Sequence, residues 1–232
     1  MEPHFFVSLL LWYIVFLFAT TLHEAAHAFV SAWGGDNTAQ RGGQISLNPL
    51  PHMKREKWGM VIIPILSFFL NHGTWMIGWA SAPFNPYWAA RYPRKSFLMS
   101  LAGPLSHLPA IFIAFTAMVI GLRTGFFNLG HDFFSLVAAG SGGALSGSLA
   151  MFVNVLLQLN VVLLVFNLMP IPPLDGSEVW YLLIKSEETR LRLRMYSGSY
   201  YLIGLLLAWR FFSGVFTPVW VFIVKGLLSL SV

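Results

Sequence analysis

The sequence predicts an all-α polytopic membrane protein with about five to six membrane segments, one of them re-entrant, and a short β element at the cytoplasmic membrane surface. Three observations carry that prediction. Hydrophobic residues make up 56% of the 232 and charged residues only 10%, whereas soluble domains carry roughly 25% charged residues. The apolar residues fall into runs at 5–32, 58–80, 97–121, 150–169 and 199–230, most of them near the ~20 residues that cross a hydrocarbon core. The basic residues cluster in short loops between these runs, which is the positive-inside pattern.

The elements follow in chain order. Run 5–32 lacks the basic n-region of a cleaved signal, offering Glu2 and His4 instead, and it continues past Ala19 into a polar motif. It is therefore expected to be a retained first span. Loop 33–57 carries Arg41, Lys54, Arg55 and Lys57, and its alternating stretch Gly42–Leu47 is the expected β element. Run 58–80 contains Pro64 and, near its middle, Asn71-His72-Gly73-Thr74. Turn chemistry at membrane depth is tolerated only against protein or a watery cavity. The flanking loops 33–57 and 81–96 are both basic, the latter through Arg91, Arg94 and Lys95. A hairpin that returns to its own side satisfies both facts.

Spans 97–121 and 150–169 then cross outward and inward. The stretch between them carries only Arg123 and Asp132 as charges and is expected outside, while Lys185, Arg190, Arg192 and Arg194 place loop 174–197 inside. In the last run Gly214 and Pro218 are expected to break the helix in two. Trp12, Trp58, Trp75, Trp79, Trp88 and Trp209 mostly fall near expected span ends, where Trp is favoured as an interfacial anchor. His4, His52, His72 and His131 are expected in loops or at the interface. Without repeats or linkers, residues 1–232 read as a single transmembrane domain.

The chain has no cysteine, so thiolate metal sites and a cysteine nucleophile are excluded. A metal must be held by His, Asp or Glu. His23-Glu24-Ala25-Ala26-His27 fits H-E-x-x-H, in which two imidazoles one turn apart bind one zinc and the Glu serves as general base. Three ionisable groups in an apolar span need a partner or a purpose. His23 lies 18 residues past Phe5, ~27 Å along a helix, which puts the motif near the cytoplasmic end of the span. A catalytic zinc takes three protein ligands and an open position. Asp175 is the best third candidate, because its segment Asn167–Gly176 ends the span that arrives at the same face as His27. Capping of the helix through Ser177–Ile184 is its alternative role, as helix capping is for Asn167.

Together, H-E-x-x-H in the first span and N-x-x-P-x-P-x-L-D-G at 167–176 resemble the paired signatures of the site-2 protease family of intramembrane zinc metalloproteases, peptidase family M50. Leu47–Leu50, Gly78–Ala80 with Phe84–Pro86, and Ala102–Ser106 resemble its compact microbial branch, without a visible PDZ-like or CBS-like insertion. The resemblance covers about residues 15–185. It implies one Zn2+ per chain on His23, His27 and Asp175, Glu24 as catalytic base, and Asn167 holding the oxyanion or the substrate backbone. It implies a multi-pass protein of the cell membrane with its site toward the cytoplasmic side. Its implied partners are the lipid bilayer and membrane-protein substrates cleaved in or near a transmembrane segment, with no role for nucleic acid. The chain departs from the family at His107, where relatives often carry Asn; a core hydrogen bond is the favoured role, the active-site cleft the other. An inactive scaffold, or an ion- or proton-translocating protein, is the alternative class. The first would have lost a ligand or Glu24, and the second predicts repeated halves.

Overall fold

The computed structural model describes residues 3–196 and 200–231, the side chains of residues 3 and 4 excepted. Glu2 and the His4 side chain lie outside the described residues. Among those described, four helical stretches are long and apolar enough to cross a membrane. The first is α1 (Pro3–Gly34). Short helices α2 (Thr38–Arg41) and α3 (Pro49–Arg55) follow. A π-turn over Trp58–Ile62 then leads into α4 (Ile63–Leu70). After an extended return come α5 (Pro86–Arg91), α6 (Pro93–Leu105) and α7 (Leu108–Arg123), the last two forming one bent span. Strands β1 (Phe127–Leu129) and β2 (Val137–Ala139) pair antiparallel ahead of α8 (Gly143–Asn167). A 3-10 turn at Asp175–Glu178, then α9 (Val179–Leu183), α10 (Glu187–Tyr196) and α11 (Tyr201–Ser231), complete the order.

α8 is the central element. It packs against α1, α6, α7 and α11, and a run from Val153 to Val161 is wholly buried. The core joins Trp12 and Phe16 of α1 to Met118 of α7, Leu157 of α8 and Trp220 of α11. Large apolar side chains such as Phe112, Ile113 and Phe222 point outward, as lipid-facing positions require.

Run 58–80 turns back rather than crossing. α4 ends in a turn at residues 71–74, and the chain returns extended. Both ends of the hairpin are tied to one face: Asn85 N–H donates to Asp36 beyond α1 at 2.7 Å, and Gln44 reaches the Ser81 carbonyl at 3.2 Å. At its other end Ser8 near the start of α1 meets the Gly73 carbonyl. Gly59 and Gly78 let the two arms touch, with Trp79 N–H donating to the Gly59 carbonyl at 3.0 Å. A Cβ on Gly59 would strike Trp79.

Three expectations are corrected. Residues 42–47 form turns closing α2, with the N–H groups of Gly42 and Gln44 both donating to the Ala39 carbonyl. Those donors have no strand partner, so alternation alone makes no sheet there. The short β element is instead the 127–139 hairpin, clamped to α8 by Asn154, which accepts from Leu136 and Val137 N–H and donates to the Val137 carbonyl. Secondly, α11 runs unbroken through Gly214 and Pro218. An interior proline costs about 3 kcal/mol, while each backbone group freed by a break at membrane depth costs several. Thirdly, His52 is 1% exposed, held by the Ser46 carbonyl at 3.0 Å; His72 and His131 are exposed as expected.

Candidate active site

α1 is helical throughout the H-E-x-x-H segment, so His23 and His27 project from one face and their rings meet edge-on at 4.6 Å. Glu24 is buried in the same turn, between the two histidines in sequence. Asp175 opens the 3-10 turn after the proline-rich segment, where the N-cap position is taken by Leu174. Its Oδ2 lies 3.0 Å from His23 Nε2 and 3.3 Å from His27 Nε2, while the two Nε2 atoms are 2.9 Å apart. Burial works against charge on Asp175, but the two imidazoles beside it win and hold its carboxyl well below the usual carboxylate range.

The loop that delivers Asp175 is anchored on both sides. Trp180 donates its indole N–H to the Pro170 carbonyl at 2.7 Å. Glu178, three residues on, is buried in a bidentate pair with Arg194 of α10 and accepts from Ser96 of α6 at 3.0 Å. Arg190 ties the same region to α5 through the Ala90 carbonyl at 2.6 Å.

The donor set fits a tetrahedral metal. Bonds of ~2.0–2.2 Å imply donor separations of about 3.3–3.6 Å, within a few tenths of those observed. Space is left for it by Gly103 of α6. A Cβ there would lie 2.6 Å from His23 Nε2 and collide with His27 Nε2. The remaining ring nitrogens are also engaged. His27 Nδ1 is 2.7 Å from the Met99 carbonyl, and His23 Nδ1 is 3.0 Å from His107 Nε2. His107, which ends the bend between α6 and α7, is 0% exposed and reaches Asn160 of α8 at 2.8 Å. The core hydrogen bond expected of it is present, and it leads directly to a site histidine.

Asn167, the last residue of α8, spends one amide hydrogen on the Leu163 carbonyl at 3.0 Å. Among the described residues its other amide hydrogen has no partner, and no hydrogen bond joins Asn167 to the cluster of His23, His27 and Asp175. Sequence reasoning missed Asn160, Glu178 and Ser96 as contributors and met Gly103 only within the Ala102–Ser106 stretch, without a role, because each acts against a partner on another element.

Fold and site together define a multi-pass membrane protein whose first and third spans deliver a His–His–Asp cluster able to hold a metal. The profile described as peptidase family M50 matches residues 11–209, and the chain belongs to that family. It is 34% identical over 167 residues to YwhC of Bacillus subtilis (strain 168), covering 72% of this chain and 65% of the relative. It is 30% identical over 165 residues to Rip2 of Mycolicibacterium smegmatis (strain ATCC 700084 / mc(2)155), covering 69% and 52%. Both carry provisional zinc-metalloprotease designations in their names. The matches thus span between half and two thirds of these relatives' lengths. No solved structure matches the chain.

Proposed function

We propose that this protein is a zinc-dependent intramembrane endopeptidase of the site-2 protease type, hydrolysing peptide bonds in or near transmembrane segments of membrane-protein substrates. The observation that carries the reading is the convergence of His23, His27 and Asp175 to within 4.8 Å beside a buried Glu24 on an apolar span. The inactive-scaffold alternative is disfavoured, since all four groups are present and assembled.

His23 and His27 would hold the ion through Nε2 and Asp175 through Oδ2. When bound, zinc supplies Lewis acidity for activating water and polarising the scissile carbonyl. Glu24 takes the proton from the attacking water and returns it to the leaving amine. Asn167 offers its unused amide hydrogen to the developing oxyanion or to the substrate backbone. Burial of His23, Glu24 and His27 limits bulk water, which strengthens each of these interactions. An apolar cavity of about 510 Å³, lined by Phe16, Ile77, Leu163, Phe166 and Phe212, lies between the hairpin's return arm and α8 and α11. Phe16 stands two turns before His23 on α1, so an apolar segment in that cavity lies close to the site. The basic loops favour a cell membrane with the site toward the cytoplasm.

The test needs zinc content and a cleavage assay on a fluorogenic peptide with an apolar membrane-spanning segment. Wild type and Glu24→Gln should each retain about one zinc per chain, with cleavage at least roughly 100-fold lower in the variant. The His23→Ala/Asp175→Ala double variant should lose the metal. Equal, low zinc in all three folded proteins would remove the protease reading. Cleavage only of a soluble control peptide would keep the peptidase and refute the intramembrane substrate.

A further inference from the structure

A histidine that binds a metal through Nε2 must carry its hydrogen on Nδ1, and the partner of that hydrogen fixes tautomer and ring orientation. His27 meets this requirement through backbone, since the Met99 carbonyl at 2.7 Å only accepts. His23 has no such fixed acceptor. Its Nδ1 faces His107 Nε2 at 3.0 Å, an atom that donates in one tautomer and accepts in the other. With the wrong tautomer, two N–H groups would be opposed in a buried site.

Asn160 removes the ambiguity. Its Nδ2 lies 2.8 Å from the Leu156 carbonyl and its Oδ1 lies 2.8 Å from His107 Nδ1. A backbone carbonyl accepts only, so the amide nitrogen must face Leu156 and the amide oxygen must face His107. That oxygen also accepts only, which places the hydrogen of His107 on Nδ1 and leaves Nε2 bare to accept from His23 Nδ1–H. The direction is consistent from the Leu156 carbonyl to His23 Nε2. His107 and Asn160 are both 0% exposed, so solvent cannot relieve a reversed arrangement.

We propose that His107 and Asn160 are positioning residues that fix the tautomer and ring orientation of His23 and thereby set the affinity of the site for zinc. The proposal rests on the zinc reading of the site given above. The two residues come from the α6–α7 bend and from α8, so the relay also couples the position of His23 to the helices that enclose it. A purely structural polar pair predicts something different: its loss would lower stability and leave the zinc affinity of folded protein unchanged.

The experiment is chelator competition with zinc alone on detergent-purified wild type, His107→Leu, His107→Gln and Asn160→Leu, with thermal unfolding of each zinc-free protein. His107→Leu is expected to weaken zinc roughly 10–100-fold, and Asn160→Leu to weaken it in the same direction by less. His107→Gln, whose amide oxygen keeps an acceptor facing His23, should recover most of the affinity. In zinc-loaded wild type, long-range 1H–15N correlation should place the hydrogens of His23 and His107 on Nδ1. Wild-type affinity in folded His107→Leu and Asn160→Leu, or hydrogen on His107 Nε2, would overturn the relay and leave the site reading intact. If His107→Leu does not fold, Asn160→Leu and the tautomer spectrum decide. Failure of wild type to take up zinc would overturn the site reading, and the relay with it.

Discussion

Gly103 illustrates how much of the site depends on an atom that is missing. The only side chain that fits between α6 and the paired imidazoles is a hydrogen, because any Cβ at 103 meets His23 and His27 at once. Those rings have no freedom to yield: His27 is fixed by the Met99 carbonyl and His23 by His107. Gly103→Ala is therefore expected to displace at least one ligand nitrogen. Zinc affinity should fall at least tenfold, comparable to loss of a supporting hydrogen bond, while the helix gains the intrinsic preference of Ala over Gly. Calorimetric zinc titration, paired with unfolding of the metal-free protein, separates the two effects. Unchanged zinc binding would mean that the imidazoles can retreat and that the glycine serves helix packing alone. At this scale the ligands were legible in the sequence because their spacing states the chemistry. His23 and His27 share a face by helical period, and Asp175 stands in a segment too proline-rich to be ordinary helix. Gly103 and Asn160 were not legible as contributors, since nothing in their local pattern names the residue they touch across the bundle.

Between residue and fold stands the loop that presents Asp175, held by an ion pair that neither element makes alone. The Glu178–Arg194 pair is 10% and 5% exposed at its side chains, and Arg194 also lies over the Tyr181 ring at 3.9 Å. Removing one partner of a buried pair strands the other charge and typically costs about 3–5 kcal/mol. Arg194→Met should destabilise by that order in denaturant unfolding. Because Asp175 sits three residues before Glu178, zinc affinity should fall with it. Glu178→Gln/Arg194→Met should recover part of the stability, since no charge is then left buried alone. If the single variant unfolds like wild type, the pair is not what holds the loop. Element boundaries were readable where the solvent imposes them: α1, α8 and the bent α6–α7 span all overlap their apolar runs. Where local pattern competed with context, context prevailed. The 42–47 stretch alternates but has no strand to pair with, and Pro218 sits in a helix that lipid will not allow to break.

For the whole molecule, the membrane orientation of the hairpin decides where substrate and water reach the site. Asp36, Gln44 and Arg55 all meet residues 81–85, so loops 33–57 and 81–96 share one face of the bundle. α10 packs on α5 and adds the loop after α8 to the same face. On the orientation proposed above, its basic residues would put that face in the cytoplasm and the β1–β2 hairpin, at the far end of α7 and α8, outside. The native chain contains no cysteine, so single-cysteine variants can be read without background. Lys54→Cys, Arg91→Cys and Arg192→Cys are expected to react with a membrane-impermeant maleimide only after cells are opened. Ser141→Cys should react in intact cells. A clean crossing by residues 58–80 would instead put Arg91→Cys on the face opposite Lys54→Cys, a pattern incompatible with the hydrogen bonds that join their loops. Agreement would also limit the route of the attacking water. The Asp175 loop approaches the site from the face of loops 33–57 and 81–96, whereas the hairpin that Asn154 clamps to α8 stands at the opposite end. On the proposed function, water would then enter from the cytoplasm and an apolar substrate would arrive sideways, between the hairpin's return arm and α11.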